Sequence, residues 1–280
     1  MDKSKIKSFI ILLLALVNAF LLIIVISNVH EAGNAKRYRN DALKKVFAEN
    51  GITLDSKIAL PKKVLPEISL KRDMQKEKDF ICRLLGNCTV TNQGGNMFFY
   101  QNQKNGEANF RGTGEFEILL ASGLVPRGID PVSTAKSVMK KLGISYSKAP
   151  AIVTNETGNT KVTLSCAYDK NDIYNSTVDF QFTSEYLMLI IGSRPLDTEV
   201  SVQSTEKYPD SVTVLMNFLD SINRVGNVCS KITDVTVGYF LNAPLPGSCT
   251  LRPEWRIETD VGPYYIDGRT GKSETLEFPS

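Results

Sequence analysis

From Ser8 to Val29 the chain runs for 22 residues without a single charge, almost all of them Leu, Ile, Val, Ala or Phe. As a helix this stretch is about 33 Å long at 1.5 Å per residue, enough to cross the hydrocarbon core of a bilayer. Lys3, Lys5 and Lys7 precede it, while His30 and Glu31 follow it. The positive-inside rule therefore predicts residues 1–7 as a cytoplasmic stub and residues 8–29 as a transmembrane helix. The bulk of the chain is then expected outside a cell membrane. A cleaved signal peptide is the rival reading, but its apolar region usually covers only about 7–15 residues. The best small-residue cleavage site, Gly33-Asn34-Ala35, is also a poor one. Length thus favours a retained anchor and, since no later segment matches it, a single pass.

The remaining residues read as a folded ectodomain. Apolar residues make up 42% of the chain and charged residues 22%, a balance that argues against global disorder. The formal net charge is +3, much of it in the cytoplasmic stub, so the ectodomain is nearly neutral. That excludes the strongly basic surface of a nucleic-acid binder. The cysteines are Cys82, Cys88, Cys166, Cys229 and Cys249. An oxidising compartment permits disulfides, and Cys82 with Cys88, or Cys229 with Cys249, are the candidate pairs; free buried thiols are the equal alternative. No C-x-x-C spacing points to zinc or redox work.

Apolar periodicity predicts helices at Asp41–Glu49, about Asp73–Leu85, from Asp130-Pro131 to Leu142, and from Asp210 to Ile222. Asp130 and Pro131 supply a cap and a first-turn proline, and Gly143 and Gly226 supply stops. Between the helices the period changes to two. Strands are predicted at Met97–Gln101, Phe116–Leu120, Lys161–Tyr168, Thr177–Thr183, Tyr186–Ile191, Thr233–Leu241, Trp255–Asp260, Tyr264–Asp267 and Thr275–Phe278. Helices alternating with hairpin-linked strands give an α+β fold: lobes of antiparallel sheet with helices packed on one face. The expected division is a membrane-proximal lobe over residues 31–128 and a distal lobe over residues 129–280.

Several constellations could carry chemistry. His30, at the membrane edge, is the one histidine, which excludes a Ser-His-Asp triad, a Cys-His pair or a histidine metal site within the lobes. Ser133-Thr-Ala-Lys136, Ser221-Ile-Asn223 and Arg269-Thr-Gly271 resemble, in chain order, the S-x-x-K, S-x-N and K-T-G elements of penicillin-recognising serine enzymes. Their contexts argue against it, because Ser221 falls inside a predicted helix and Arg269–Gly271 in a hairpin turn. Glu115 with Glu117, and Glu258 with Asp260, project from single strand faces and read as the wet side of a sheet. A glycosidase would need its two carboxyl groups facing each other across a cleft. Asp169-Lys-Asn-Asp172 lacks the glycine and terminal glutamate of a calcium loop and reads as a turn. Asn87, Asn155 and Asn175 open glycosylation patterns, which matter only in a eukaryotic secretory pathway. The expectation is a protein without catalytic activity, cofactor, metal or small-molecule substrate.

The predicted membrane helix carries more than an anchor needs. Ala15, Asn18 and Ala19 stand at i, i+3 and i+4, hence on one face. Small residues let a second helix approach closely, and an asparagine in hydrocarbon seeks a hydrogen-bond partner across the interface. This face is the expected contact with another membrane protein.

Two stretches carry a family resemblance. The opening MDKSKIKSFIILLLALVNAFLL is similar to the start of YycI-type proteins: M-D-x-S-x-I-K, then the anchor, then an internal asparagine before Phe-Leu-Leu. The stretch PEWRIETDVGPYYIDGRTGK resembles the closing hairpin of YycI, YycH and PepSY-like modules. The resemblance implies a regulator whose two-lobed ectodomain lies outside a Gram-positive cell. With a YycH-like sister protein it would contact, and restrain, a WalK (YycG)-type sensor histidine kinase controlling cell-wall metabolism. The alternative expectation is a PepSY-like module that binds or restrains a protease or wall enzyme, with the penicillin-recognising enzyme a remote third. In the C-terminal stretch itself, Trp255, Ile257 and Thr259 alternate with Arg256, Glu258 and Asp260, which predicts scaffold with its acids mostly on the wet face.

Overall fold

A computed structural model describes residues 41–273 apart from 56, 157, 227 and 228. The expected membrane span, with Ala15, Asn18 and Ala19, lies outside the described residues, as does the expected strand Thr275–Phe278. Among the described residues no helix is long and apolar enough to cross a membrane.

The four expected helices are present. Helix α1 (residues 41–49) buries Leu43 and Phe47, and the chain turns at Asn50 and Gly51. Asp73 caps α2 (Met74–Leu85) by accepting the Gln75 and Lys76 N–H groups. Asp130 does the same for α3 (Pro131–Leu142) through Val132 and Ser133, and Gly143 ends it in the left-handed conformation. Asp210 caps α4 (Ser211–Val225) through Thr213 N–H, and Gly226 ends it. Each cap satisfies donors that a helix start otherwise leaves unpaired.

The strands are β1 (Thr53–Leu54), β2 (Ile68–Lys71), β3 (Thr89–Gly94), β4 (Met97–Asn102), β5 (Gly106–Arg111), β6 (Glu115–Leu120) and β7 (Ile152–Glu156). There follow β8 (Asn159–Tyr168), β9 (Asn171–Phe182), β10 (Leu187–Ser193), β11 (Thr198–Val202), β12 (Lys231–Leu245), β13 (Ser248–Thr259) and β14 (Gly262–Asp267). They build an α+β protein on a curled, mostly antiparallel sheet. One part runs β7-β8-β9-β10-β6-β5-β4-β3, antiparallel at every step. The other runs β11-β2-β13-β12, with β14 beside the second half of β13 and β1 parallel to the start of β12.

The long strand β9 joins the two parts by pairing Ile173 with Tyr239 of β12. Gly238 makes that approach possible. A Cβ there would stand 2.4 Å from the Asp172 carbonyl oxygen and 2.8 Å from the Tyr174 ring. At the far end, the β12–β13 turn docks on the β5–β6 turn through Gly247 N–H to Gly112 O at 2.9 Å.

Two hydrophobic cores result. The first holds α2 and α3 against the eight-stranded part, with Phe80, Phe110, Phe116, Phe180 and Phe182 at its centre. The second holds α1 and α4 against β12, β13 and β14, around Phe47, Phe218 and Trp255. One face of β13 serves both, since Cys249 and Leu251 belong to the first core and Trp255 and Ile257 to the second.

The lobe boundary expected near residue 128 is corrected by this arrangement. Strand β6 before it and β10 after it pair from Leu119↔Leu189 to Glu115↔Ser193, so a cut at 128 splits one sheet. The segment before α2 instead joins the C-terminal strands, through β1 on β12 and β2 on β13. Both pairings link positions far apart in sequence, where periodicity is silent.

Candidate functional site

The C-terminal hairpin is scaffold. Trp255 pairs with Ile266 and Ile257 with Tyr264, and all four side chains are buried in the second core. Tyr264 meets Phe218 of α4 edge-on, ring centroids 5.1 Å apart. Glu258 lies on the other face beside Arg256, with which it forms an ion pair. Asp260 sits in the turn, where the Ser230 hydroxyl and the Lys231 and Ser230 N–H groups hold its carboxyl below the usual carboxylate range.

Glu254 and Asp267, by contrast, are buried, the exceptions to acids expected mostly on the wet face. Asp267 accepts the Arg269 N–H at 2.7 Å, the Thr270 N–H at 3.1 Å and the Arg269 guanidinium at 3.0 Å. Arg269 in turn reaches Glu67 at 2.7 Å, and Gln203 donates to the same carboxylate at 2.9 Å. The T-G turn thus staples the chain's end to the start of β2 and the end of β11.

Burial pushes the Asp267 carboxyl up, but Arg269 and the two backbone donors outweigh it and leave it below its ordinary 3.8. A carboxyl depressed on folding contributes stability above its unfolded pKa and loses it as the pH falls through the folded one. Asp267→Asn is therefore expected to be less stable than the wild type at neutral pH. The gap should close below pH 3.8, as read from urea midpoints across a pH series.

The penicillin-like elements do not converge. Ser133 lies at the start of α3 with its hydroxyl on Asp130, and Lys136 is on the same helix. Ser221 is on α4 and bonds the Asn217 carbonyl at 2.8 Å, while Arg269 is committed to Asp267 and Glu67. Helices α3 and α4 belong to different cores. Glu115 and Glu117 project from the exposed face of β6, where Glu115 meets Arg111 at 3.5 Å.

All five cysteines are free thiols. Cys229 and Cys249, a candidate pair, are buried in different cores and are not brought together. Cys82 and Cys88 lie side by side, half-exposed, at the end of α2.

Two kinds of surface remain. A cleft opens on either side of the Gly143–Ser145 turn that follows α3. Its smaller arm, about 370 Å³, is walled by Lys76, Phe80, Arg83, Tyr168 and Arg194. Here the cations are engaged: Arg83 with the Leu142 carbonyl at 3.0 Å, Lys76 with the Asp197 carbonyl at 3.1 Å, and Arg194 with the Asp197 carboxylate. Arg194 also stacks over Phe80, 4.3 Å from the ring centre. The larger arm, about 680 Å³, is ringed by Lys140, Lys148 and Lys170 around Tyr146 and Tyr174. Burial pushes the Tyr168 and Tyr174 hydroxyls up, away from neutral pH, so they serve as hydrogen-bonding groups.

The second surface is the face of the eight-stranded sheet opposite α2 and α3. Register places Ile152, Thr163, Asp179, Ile191, Glu117, Asn109, Phe99 and Thr91 in one row across all eight strands. The adjoining row holds Lys161, Gln181, Leu189, Leu119, Glu107 and Gln101. Leu119 is 44% and Ile191 40% exposed, and a hollow of about 730 Å³ lies over Met97, Asn109, Glu117 and Asp179. Lys161 pairs with Asp179 at 2.8 Å, yet acids outnumber bases on the face. Alternation placed Glu117 outward on its own strand; the face these residues form together depends on a strand order that alternation does not encode.

No known family profile matches the chain, and no curated protein matches it. Among solved structures, an uncharacterized protein from Eubacterium rectale aligns at a TM-score of 0.50 and 10% identity, over 81% of this chain and 90% of that one. The C-terminal domain of YpeB from Bacillus megaterium aligns at a TM-score of 0.36 and 10% identity, over 74% of this chain and 98% of that one. The first likeness shows a shared fold; at that identity it says nothing of activity.

Proposed function

We propose that this chain is a membrane-anchored extracytoplasmic regulator of the YycI type. It restrains a WalK-type sensor histidine kinase of a cell-wall two-component system, together with a YycH-like sister protein. The observation that carries this reading is the sheet face left uncovered among the described residues, where Phe99, Leu119, Leu189 and Ile191 stand among carboxylates. An apolar, net acidic face complements a partner surface that is apolar and basic. The opening M-D-x-S-x-I-K motif and the uncharged run Ser8–Val29 support the anchored topology. Ala15, Asn18 and Ala19 add a helix-to-helix contact in the bilayer. Holding the kinase at both places lets the regulator favour one of its signalling states by differential contact.

Replacing Ala15, Asn18 and Ala19 together by leucine tests the membrane half of the proposal. The variant is expected to insert normally and to lose co-purification with the kinase or the sister protein by about threefold or more, as one interhelical hydrogen bond implies. Unchanged association would remove those residues from the contact. A second reading, the PepSY-like module restraining a protease or wall enzyme, draws support from the lysine-ringed cleft. Deleting the ectodomain separates the two, because residual regulation by the anchor alone belongs only to the first.

A further inference from the structure

We propose that Cys82 and Cys88 form a thiol–disulfide site that closes across the C-terminal end of α2. Gly86 ends this helix with a positive φ of 78°, and its N–H returns to the Cys82 carbonyl at 2.9 Å. The reversal brings Cys88 back over the last turn, its thiol 3.2 Å from the Gly86 carbonyl and in hydrogen-bond contact with Cys82. Two thiols there can be joined covalently. Their exposure sets them apart, since Cys166, Cys229 and Cys249 are buried.

The oxidant required is a low-molecular-weight disulfide. The Cys82 thiolate attacks one of its sulfurs, forming a mixed disulfide and releasing one small thiol. Cys88 then loses its proton to solvent and displaces the second small thiol. Two protein thiols become one disulfide, and the small disulfide is reduced to two thiols, so electrons and protons balance. Burial, then the contact with Cys82, pushes the Cys88 thiol up to about 12. Closure is accordingly expected to quicken as the pH rises. The bond would tie down the turn that carries Arg83, whose guanidinium holds the end of α3 at the Leu142 carbonyl and walls the smaller cleft. None of this depends on the identity of the partner.

Full-length protein in detergent, incubated with oxidised glutathione or with a reducing agent, then denatured, alkylated and mapped by mass spectrometry, tests the site. After oxidation the wild type is expected to lose two of its five alkylatable thiols, with Cys82 and Cys88 found in one linked peptide. Cys88→Ser is expected to stop at a glutathione adduct on Cys82. Five alkylatable thiols after oxidation, or a bond that uses Cys166, Cys229 or Cys249, would overturn the proposal.

Discussion

Glu77→Ala is expected to lower the free energy of unfolding by about 3–5 kcal/mol, the range for removing one partner of a buried ion pair. Glu77 lies one turn into α2, yet its side chain is fully buried. Arg72 grips it with two hydrogen bonds of 2.7 and 2.8 Å, and the Tyr100 hydroxyl donates a third at 2.6 Å. Burial and the Glu77 bond drive the Tyr100 hydroxyl far above its ordinary titration range, so it stays a donor at any working pH. Arg72 also donates to the Asn96 carbonyl at 2.6 Å and lies 4.8 Å from the Phe98 ring centre. One carboxylate thus fixes α2 to β4 and to the β3–β4 turn. Truncating it strands a guanidinium that is itself 6% exposed, and that uncompensated charge is the main cost. Tyr100→Phe removes only one donor and should cost less, about 1–3 kcal/mol. Guanidinium chloride unfolding followed by circular dichroism measures both; equal and small losses would mean the carboxylate is not the keystone.

Trp255→Ala is expected to cost about 3–5 kcal/mol, the range for truncating a buried aromatic to alanine. Trp255 is fully buried, the chain's one tryptophan, and the largest side chain in the second core. It stands between Val237 on β12 and Ile266 on β14, the strands on either side of β13. Its ring N–H has no hydrogen-bond partner among the described residues, and the expected cost is that of lost packing. Trp255→Phe keeps much of that packing and should be markedly milder. The native protein is expected to emit at short wavelength and to shift red on unfolding. A native spectrum typical of water-exposed tryptophan would contradict the packing described.

Much of this second core was legible in sequence. Alternation along Trp255–Thr259 placed Trp255, Ile257 and Thr259 on one face, and they are all buried. Asp130 and Pro131 marked the start of α3, and Gly143 and Gly226 marked the ends of α3 and α4. Other features left no local trace. Strand β3, Thr-Val-Thr-Asn-Gln-Gly, is exposed throughout and shows no alternation to detect. Strand β11 is likewise exposed along its length and is defined by its pairing with β2. Glu77 reads as an ordinary helix-surface charge, because the residues that bury it, Arg72 and Tyr100, come from other elements. Asp267 was only the last residue of an expected strand, and its donors come from the turn that folds back on it. In each case a distant partner decided the outcome, and periodicity reports only near neighbours.

The regulatory proposal stands or falls on whether the uncovered sheet face holds the kinase. The direct measurement is co-purification of the organism's WalK-type kinase with full-length chain from detergent-solubilised membranes, wild type against a Leu119→Glu, Ile191→Glu double variant. Both residues are exposed, so the fold should tolerate the change, which circular dichroism would verify. Placing two charges at the centre of a docked apolar patch is expected to reduce kinase recovery about thirtyfold or more, as loss of a binding hot spot does. Kinase recovered equally with both forms, or with neither, would contradict the account.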